Sequence, residues 1–144
     1  MFMSAEENRA LARRFIEEFW SKGNLRIIDG THGPNYVHHN LPPGVPTNKE
    51  GIRQMAAVFN TAFPDCRVTV EDVIAEGDKV VARWRLAGTH KGEFLGVPPT
   101  GRQANLTGIA IFRITGGKIA EQWENHDDLG LMQQLGAVPP HNKT

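Results

Sequence analysis

The sequence predicts one α+β domain in which helices come first and antiparallel strands follow. Apolar residues in the N-terminal third recur at helical spacing, whereas residues 66–127 alternate in two runs, each broken by a two-residue turn containing glycine. The chain has 144 residues, 40% of them hydrophobic, which is enough for one core. A twisted sheet of long hairpins is expected to curl around the helices, leaving either a filled core or a pocket between them.

The N-terminal part is predicted to contain helices and one short strand. Ser4 and Glu7 match a capping box and begin an amphipathic helix that is expected to run to about Lys22. "GNLRIIDG" predicts a short second helix or turn, and "NYVHHN" predicts a short strand. Asn48 is expected to cap a further helix through "KEGIRQMAAVFNTAF", which "PD" ends.

Two hairpins and a terminal helix are predicted for the rest. Gly77-Asp78 is a favourable turn for the first hairpin, and Gly116-Gly117 for the second. "DLGLMQQLG" predicts a short final helix, with Asp128 as its expected cap. Residues 1–144 are therefore expected to form one domain with a core over about 5–136 and a flexible tail over 137–144.

The turn of the second hairpin predicts which side chains share a face of the sheet, because residues on a strand alternate between its two faces. Small residues on the first strand would then oppose an indole ring and a carboxylate, which is typical of a cavity wall. Gln122, Glu124 and His126 would lie on the other face. Counting outward from Thr115 opposite Lys118, the predicted pairs are Phe112 with Glu121, Ala110 with Trp123, Gly108 with Asn125 and Leu106 with Asp127.

Charge and cysteine content argue against several classes of protein. Lys and Arg number 16, as do Asp and Glu, so neither nucleic acid nor an anionic membrane surface is an expected partner. The single cysteine, Cys66, precludes an internal disulfide and leaves a structural zinc site without its thiolates. No apolar run suits a membrane span or a signal peptide, so a cytoplasmic protein is expected. The six histidines lack ligand spacing, and no metal is expected.

Specific motifs resemble those of a known family. Residues 63–136, above all "GTHKGEFLGVPPTG" and "GLMQQLG", resemble the SnoaL-like polyketide cyclases, also called SnoaL-like ester cyclases, of the nuclear transport factor 2-like superfamily. A weaker similarity runs in order from Glu6 through "YVHHN". The resemblance implies a cone: a curved, largely antiparallel (mixed) sheet, of the type also called cystatin-like, wrapped around N-terminal helices. It also implies an apolar pocket and a homodimer.

The resemblance further implies an activity and its residues. Family cyclases close a ring by intramolecular aldol condensation on a hydrophobic carbonyl compound, without cofactor or metal. An aspartate at the end of the last strand acts as general acid/base, and the matching position is Asp127. The adjacent His38 and His39 should point to opposite faces of their strand, and the resemblance favours His39 as the one that faces the pocket. His39 or His90 would then stabilise the enolate oxygen or return the proton. The residues expected to bind substrate are Phe15, Phe19, Tyr36, Phe59, Trp84, Phe112, Trp123 and Asn125.

Each of these residues also has a purely structural interpretation. Asp127 would cap the last helix or lie in solvent, His39 and His90 would be hydrogen-bonded structural histidines, and the aromatic residues would pack the core. At the level of function, an isomerase or dehydratase that enolises without ring closure is one alternative. A non-catalytic binder of hydrophobic ligands and a dimerisation module are the others.

Overall fold

The computed structural model describes residues 4–139 and contains an open, five-stranded mixed sheet, which confirms the predicted α+β fold. The strand order is β1-β5-β4-β3-β2. β1 runs parallel to β5, and the other neighbours are antiparallel. The strands are β1 (His32–His38), β2 (Arg67–Glu76), β3 (Lys79–Thr89), β4 (Gln103–Thr115) and β5 (Lys118–His126).

The first and third helices begin where the sequence predicts. The Ser4 side chain accepts from the backbone N–H of Glu7 while the Glu7 side chain accepts from that of Ser4, which confirms the capping box. The first helix changes to π-helical geometry over Ile16–Ser21, so the single predicted helix has two parts. Asn48 caps the third helix, as expected. The helices are α1 (Ala5–Phe15), α2 (Ile27–Thr31), α3 (Lys49–Ala62) and α4 (Asp128–Gln134).

One face of the sheet carries the core. On β4, Leu106, Ala110 and Phe112 are almost fully buried, as the alternating pattern predicts, while Ile109 between them is 48% exposed. Phe15 and Phe19 from the N-terminal helical region complete the packing from the opposite side. We call the buried side the inner face and the side of Ile109 the outer face.

Residues 137–139 follow α4 without regular structure, and residues 140–144 of the predicted flexible tail lie outside the described residues. Across positions 4–139, the helices are all too short or too polar to cross a bilayer.

Candidate active site

A β-bulge in β5 determines which of its side chains reach the inner face. Ile114 pairs with Ile119, but the preceding residue on β4, Arg113, pairs with Glu121. Ala120 is therefore an extra residue with no partner of its own, and it reverses the alternation of every residue that follows it on β5.

The register predicted from the turn is therefore wrong beyond the bulge. Thr115 does oppose Lys118, as predicted. The inner-face residues of β4 then oppose the even-numbered residues of β5, so that Trp123 and Asn125 belong to the outer face instead. The observed inner-face pairs are Phe112 with Gln122, Ala110 with Glu124, and Gly108 with His126.

Glu124 is the acidic group that this register brings to the inner wall. Gln122 donates from Nε2 to Oε1 of Glu124 at 2.7 Å. Tyr36 on β1 in turn donates from its hydroxyl to Oε1 of Gln122 at 2.6 Å. Asn40 accepts from the backbone N–H of Glu124 at 2.7 Å and fixes the strand at this point. The carboxyl group is thus held at the end of a chain of side-chain hydrogen bonds.

The protonation equilibrium of Glu124 suits proton transfer at neutral pH. Burial raises the pKa of Glu124 from 4.5 to about 7, against the opposing effect of the hydrogen bond from Gln122, and the charge of Asp128 adds to the rise. A carboxyl with such a pKa is present in both forms near neutrality, so it can take up a proton and return it. Burial also raises the pKa of Tyr36, which therefore stays a neutral hydroxyl donor.

Glu124 borders a small cavity of about 30 Å³. That volume is about the share of one water molecule in the liquid. The cavity lies between the π-helical region and the sheet, and its lining is mainly aromatic and aliphatic. The lining residues are Phe15, Ile16, Trp20, Val68, Trp84, Ala110, Phe112, Gln122 and Glu124.

The histidine that faces inward is His38 rather than His39, which corrects the expectation. His38 is buried, and its Nδ1 accepts from the backbone N–H of Asn40 at 3.1 Å. Burial, with the nearby charges of His126 and His39, lowers the pKa of His38 to about 4, so its ring is neutral at physiological pH. His39 instead stacks on Trp123 on the outer face, with ring centroids 4.9 Å apart.

Asp127 occupies the position between β5 and α4. It is exposed, and its side chain accepts from the backbone N–H of Gly130 at 2.9 Å, so it is the N-cap of α4. The prediction that Asp128 caps this helix is therefore wrong, because Asp128 is the first helical residue and lies 2.8 Å from Nδ1 of His126. A catalytic role for Asp127 stays a prediction.

His90 is fully buried where β3 leads into the loop before β4. Its Nδ1 accepts from the backbone N–H of Thr100 at 3.2 Å, and the ring packs on Phe63 at a centroid distance of 5.5 Å. These contacts pin the loop between His90 and Thr100. A role for His90 on an enolate stays a prediction.

Besides Tyr36, the residues expected to bind substrate divide into three groups. Phe15, Trp84 and Phe112 line the cavity, as expected. Phe19 and Phe59 are core residues on either side of Trp20, each in edge contact with its indole. Trp123 and Asn125 do not line the cavity. They border a depression of about 670 Å³, which Trp84, Glu124 and Asp127 also line.

Sequence reasoning missed Gln122, Glu124 and His126, and the cause is the bulge. No glycine or turn residue marks Ala120 as an extra residue, so the alternation of β5 reads as regular in the sequence. A metal centre has no matching arrangement: within 4–139 there is no group of three or more His, Cys, Asp or Glu side chains placed to hold an ion.

Comparisons with known proteins agree on one family. The family model described as SnoaL-like polyketide cyclase matches residues 10–135. An aklanonic acid methyl ester cyclase of Streptomyces peucetius is 40% identical over 136 residues, which are 90% of this chain and 91% of that protein. A nogalonic acid methyl ester cyclase of Streptomyces nogalater is 28% identical over 127 residues, covering 86% and 94%. The solved structure of TsrD from Streptomyces laurentii superposes with a TM-score of 0.86 at 34% identity, covering 95% of this chain and all of that one.

Proposed function

Since this chain belongs to the SnoaL-like polyketide cyclases, we propose that it closes a ring of a polyketide methyl ester by intramolecular aldol condensation, with Glu124 as general acid/base and without a cofactor. The observation that carries the proposal is a carboxyl group on the inner wall, hydrogen-bonded by Gln122, whose pKa burial raises to about 7. The substrate class follows the names of the two relatives, which act on aklanonic and nogalonic acid methyl esters.

The reaction needs one group that first accepts a proton and later donates it. Ionised Glu124 would remove a proton from the carbon next to a carbonyl, and the resulting carbanion would attack a second carbonyl of the same molecule to form the new carbon–carbon bond. The protonated carboxyl would then return its proton to the alkoxide, so that Glu124 ends as it began. Holding the two carbons together supplies much of the remaining reduction in the barrier.

The size of the cavity sets a condition on binding. Sites for ligands of drug size enclose about 300–1,000 Å³, which is far more than the present 30 Å³. Glu124 and Trp84 also border the open depression of about 670 Å³. Entry of a substrate into the 30 Å³ cavity itself requires lining side chains to move. Trp20 is the lining residue best placed to do so, because it is only partly buried and belongs to the π-helical segment.

The test compares Glu124→Gln with Asp127→Asn, on aklanonic acid methyl ester and nogalonic acid methyl ester as substrates. With Glu124 as acid/base, Glu124→Gln should lower kcat by about 10²- to 10⁴-fold, while Asp127→Asn retains most of the activity. The opposite result would assign the acid/base role to Asp127, as the family resemblance implies. Full activity of both variants would refute acid/base catalysis by either carboxylate.

Deuterium exchange separates ring closure from simpler enolisation. An apolar wall carrying a carboxyl of raised pKa would also serve an isomerase or dehydratase, which enolises a ketone without forming a carbon–carbon bond. A cyclase should give the cyclised product, whereas exchange of the α-hydrogen in D₂O without any new ring would favour the isomerase. Tight binding that survives Glu124→Gln, with neither exchange nor product, would indicate a non-catalytic ligand binder.

We also propose that the protein is a homodimer joined through the outer face. Ile109 is 48% exposed there, beside the partly buried Ile111 and Trp123. Apolar side chains exposed together are typical of contact surfaces. Light scattering after size exclusion should give twice the mass of one chain, and Ile109→Glu should reduce it to one.

A cytoplasmic location is likewise proposed. The single cysteine supports it, because small proteins of oxidising compartments usually carry paired cysteines. Fractionation of the producing cells would test it, and recovery from the medium would contradict it.

A further inference from the structure

A buried polar chain connects the edge strand β1 to the acid/base carboxyl. It runs from the Tyr36 hydroxyl to Oε1 of Gln122 at 2.6 Å, and from Nε2 of Gln122 to Oε1 of Glu124 at 2.7 Å. Tyr36 and Gln122 are each only 3% exposed, so water does not compete for these hydrogen bonds. A primary amide buried beside a carboxyl costs free energy unless its groups are paired, and here both of its ends have partners.

We propose that Gln122 is a positioning residue for the acid/base, and that Tyr36 fixes its amide so that the NH₂ end, not the carbonyl end, faces Glu124. This inference rests on the proposed role of Glu124. It assigns to the pair two effects on that carboxyl: a fixed direction toward the cavity, and a preference for the ionised form that removes the proton.

The donor and acceptor count supports this orientation. A side-chain amide presents a carbonyl oxygen at one end and two N–H groups at the other, and the two ends are distinguished by their partners. The ionised carboxylate of Glu124 can only accept hydrogen bonds, so it requires the NH₂ end of Gln122 on its side. The carbonyl oxygen of Gln122 then points toward Tyr36, whose hydroxyl can donate or accept and here donates to it.

The direction of the electrostatic effect follows from that orientation. An N–H donor stabilises the ionised carboxylate more than the neutral acid, so it opposes the effect of burial. The other charged group that acts on Glu124 is Asp128 of α4, whose charge favours the protonated form. The packing residues that line the small cavity carry no charge. The open depression that Glu124 also borders is lined in addition by Glu71, Arg83, Arg85, His126 and Asp127. Gln122 is therefore the group whose hydrogen bond opposes the effect of burial on this carboxyl.

The experiment uses Gln122→Met, which keeps the length of the side chain and removes the amide, and Tyr36→Phe, which removes only the hydroxyl. The control is Ile119→Val, a fully buried change on the same strand that leaves the amide untouched. Carboxyl ¹³C NMR of glutamate-labelled protein gives the pKa of Glu124 without substrate. The pH dependence of kcat/KM gives the same pKa through activity.

Gln122→Met should raise the pKa of Glu124 by about one unit or more, and should move the acidic limb of the pH profile upward by the same amount. Tyr36→Phe should shift both in the same direction by less, because the amide is then free to turn its carbonyl toward Glu124. Ile119→Val should shift neither. If Gln122→Met loses stability or activity but leaves the pKa and the limb in place, the pair serves packing alone and the inference is wrong.

The two readouts separate this inference from the proposed function. If Glu124→Gln is fully active, Glu124 is not the acid/base and the proposed mechanism fails. The NMR titration would still show whether Gln122 controls the proton affinity of that carboxyl. If instead Glu124→Gln is inactive and the titration is unchanged in Gln122→Met, the acid/base stands and the positioning role falls.

Discussion

Replacing Glu124 by glutamine should stabilise the folded protein, and the gain should grow as the pH rises. In the folded state the pKa of this carboxyl is raised from 4.5 to about 7. Between those values the native protein binds more protons than the unfolded chain, so the free energy of unfolding falls with increasing pH. Above the folded pKa the full cost is present, and below the unfolded pKa it is absent.

The size of the effect follows from the pKa shift. A rise from 4.5 to about 7 corresponds to about 3 kcal/mol, and screening by water at a partly buried side chain reduces this to about 2–3 kcal/mol. Glutamine carries no charge, and its carbonyl oxygen can still accept from Nε2 of Gln122. The variant should therefore match the wild type near pH ~4 and exceed it by about 2–3 kcal/mol near pH ~8.

Urea unfolding followed by tryptophan fluorescence measures this at several pH values. Glu121→Gln is the matched control, because Glu121 lies on the same strand but points outward, where hydrogen bonds from His39 and Arg113 lower its pKa. Because the pKa of Glu121 is lowered in the folded protein, Glu121→Gln should lower the free energy of unfolding above the usual carboxyl pKa. This effect is opposite in sign to that expected for Glu124→Gln. A gain for Glu124→Gln that is absent, or equal at low and high pH, would refute the argument that this carboxyl is desolvated.

Three further predictions concern single side chains. Gly108→Ala should cost about 1–3 kcal/mol, because its Cβ would lie 2.7 Å from Cε2 of Trp84; unchanged stability and tryptophan emission would contradict this packing. Asp127→Ala should cost about 0.5–2 kcal/mol by removing the cap on Gly130, which thermal unfolding measures against Asp127→Asn, a variant that keeps an acceptor. His32 is buried with its pKa lowered to about 3, so stability is lost as the pH falls from 6.5 toward that value. His32→Met should unfold at lower pH than the wild type, and coincident acid-unfolding curves would disprove this.

The sequence by itself determined the local elements of this protein and its family. Ser4 and Asn48 mark helix starts because capping needs only residues adjacent in the chain. The two-residue turns place both hairpins correctly, and the inner face of β4 follows from simple alternation. Motifs such as "GTHKGEFLGVPPTG" were specific enough to indicate the SnoaL-like family that the comparisons show.

Only the tertiary structure decided which polar residues share the cavity. One extra residue at Ala120 reverses the faces of β5, so that Glu124 turns inward and Trp123 turns outward. A pattern with a period of two cannot reveal a single inserted residue, because the sequence on each side of it still alternates. The bulge depends on how the whole sheet packs, as does the choice of His38 over His39 as the buried histidine. The raised pKa of Glu124 depends on it too, because desolvation is produced by distant parts of the chain brought together by folding.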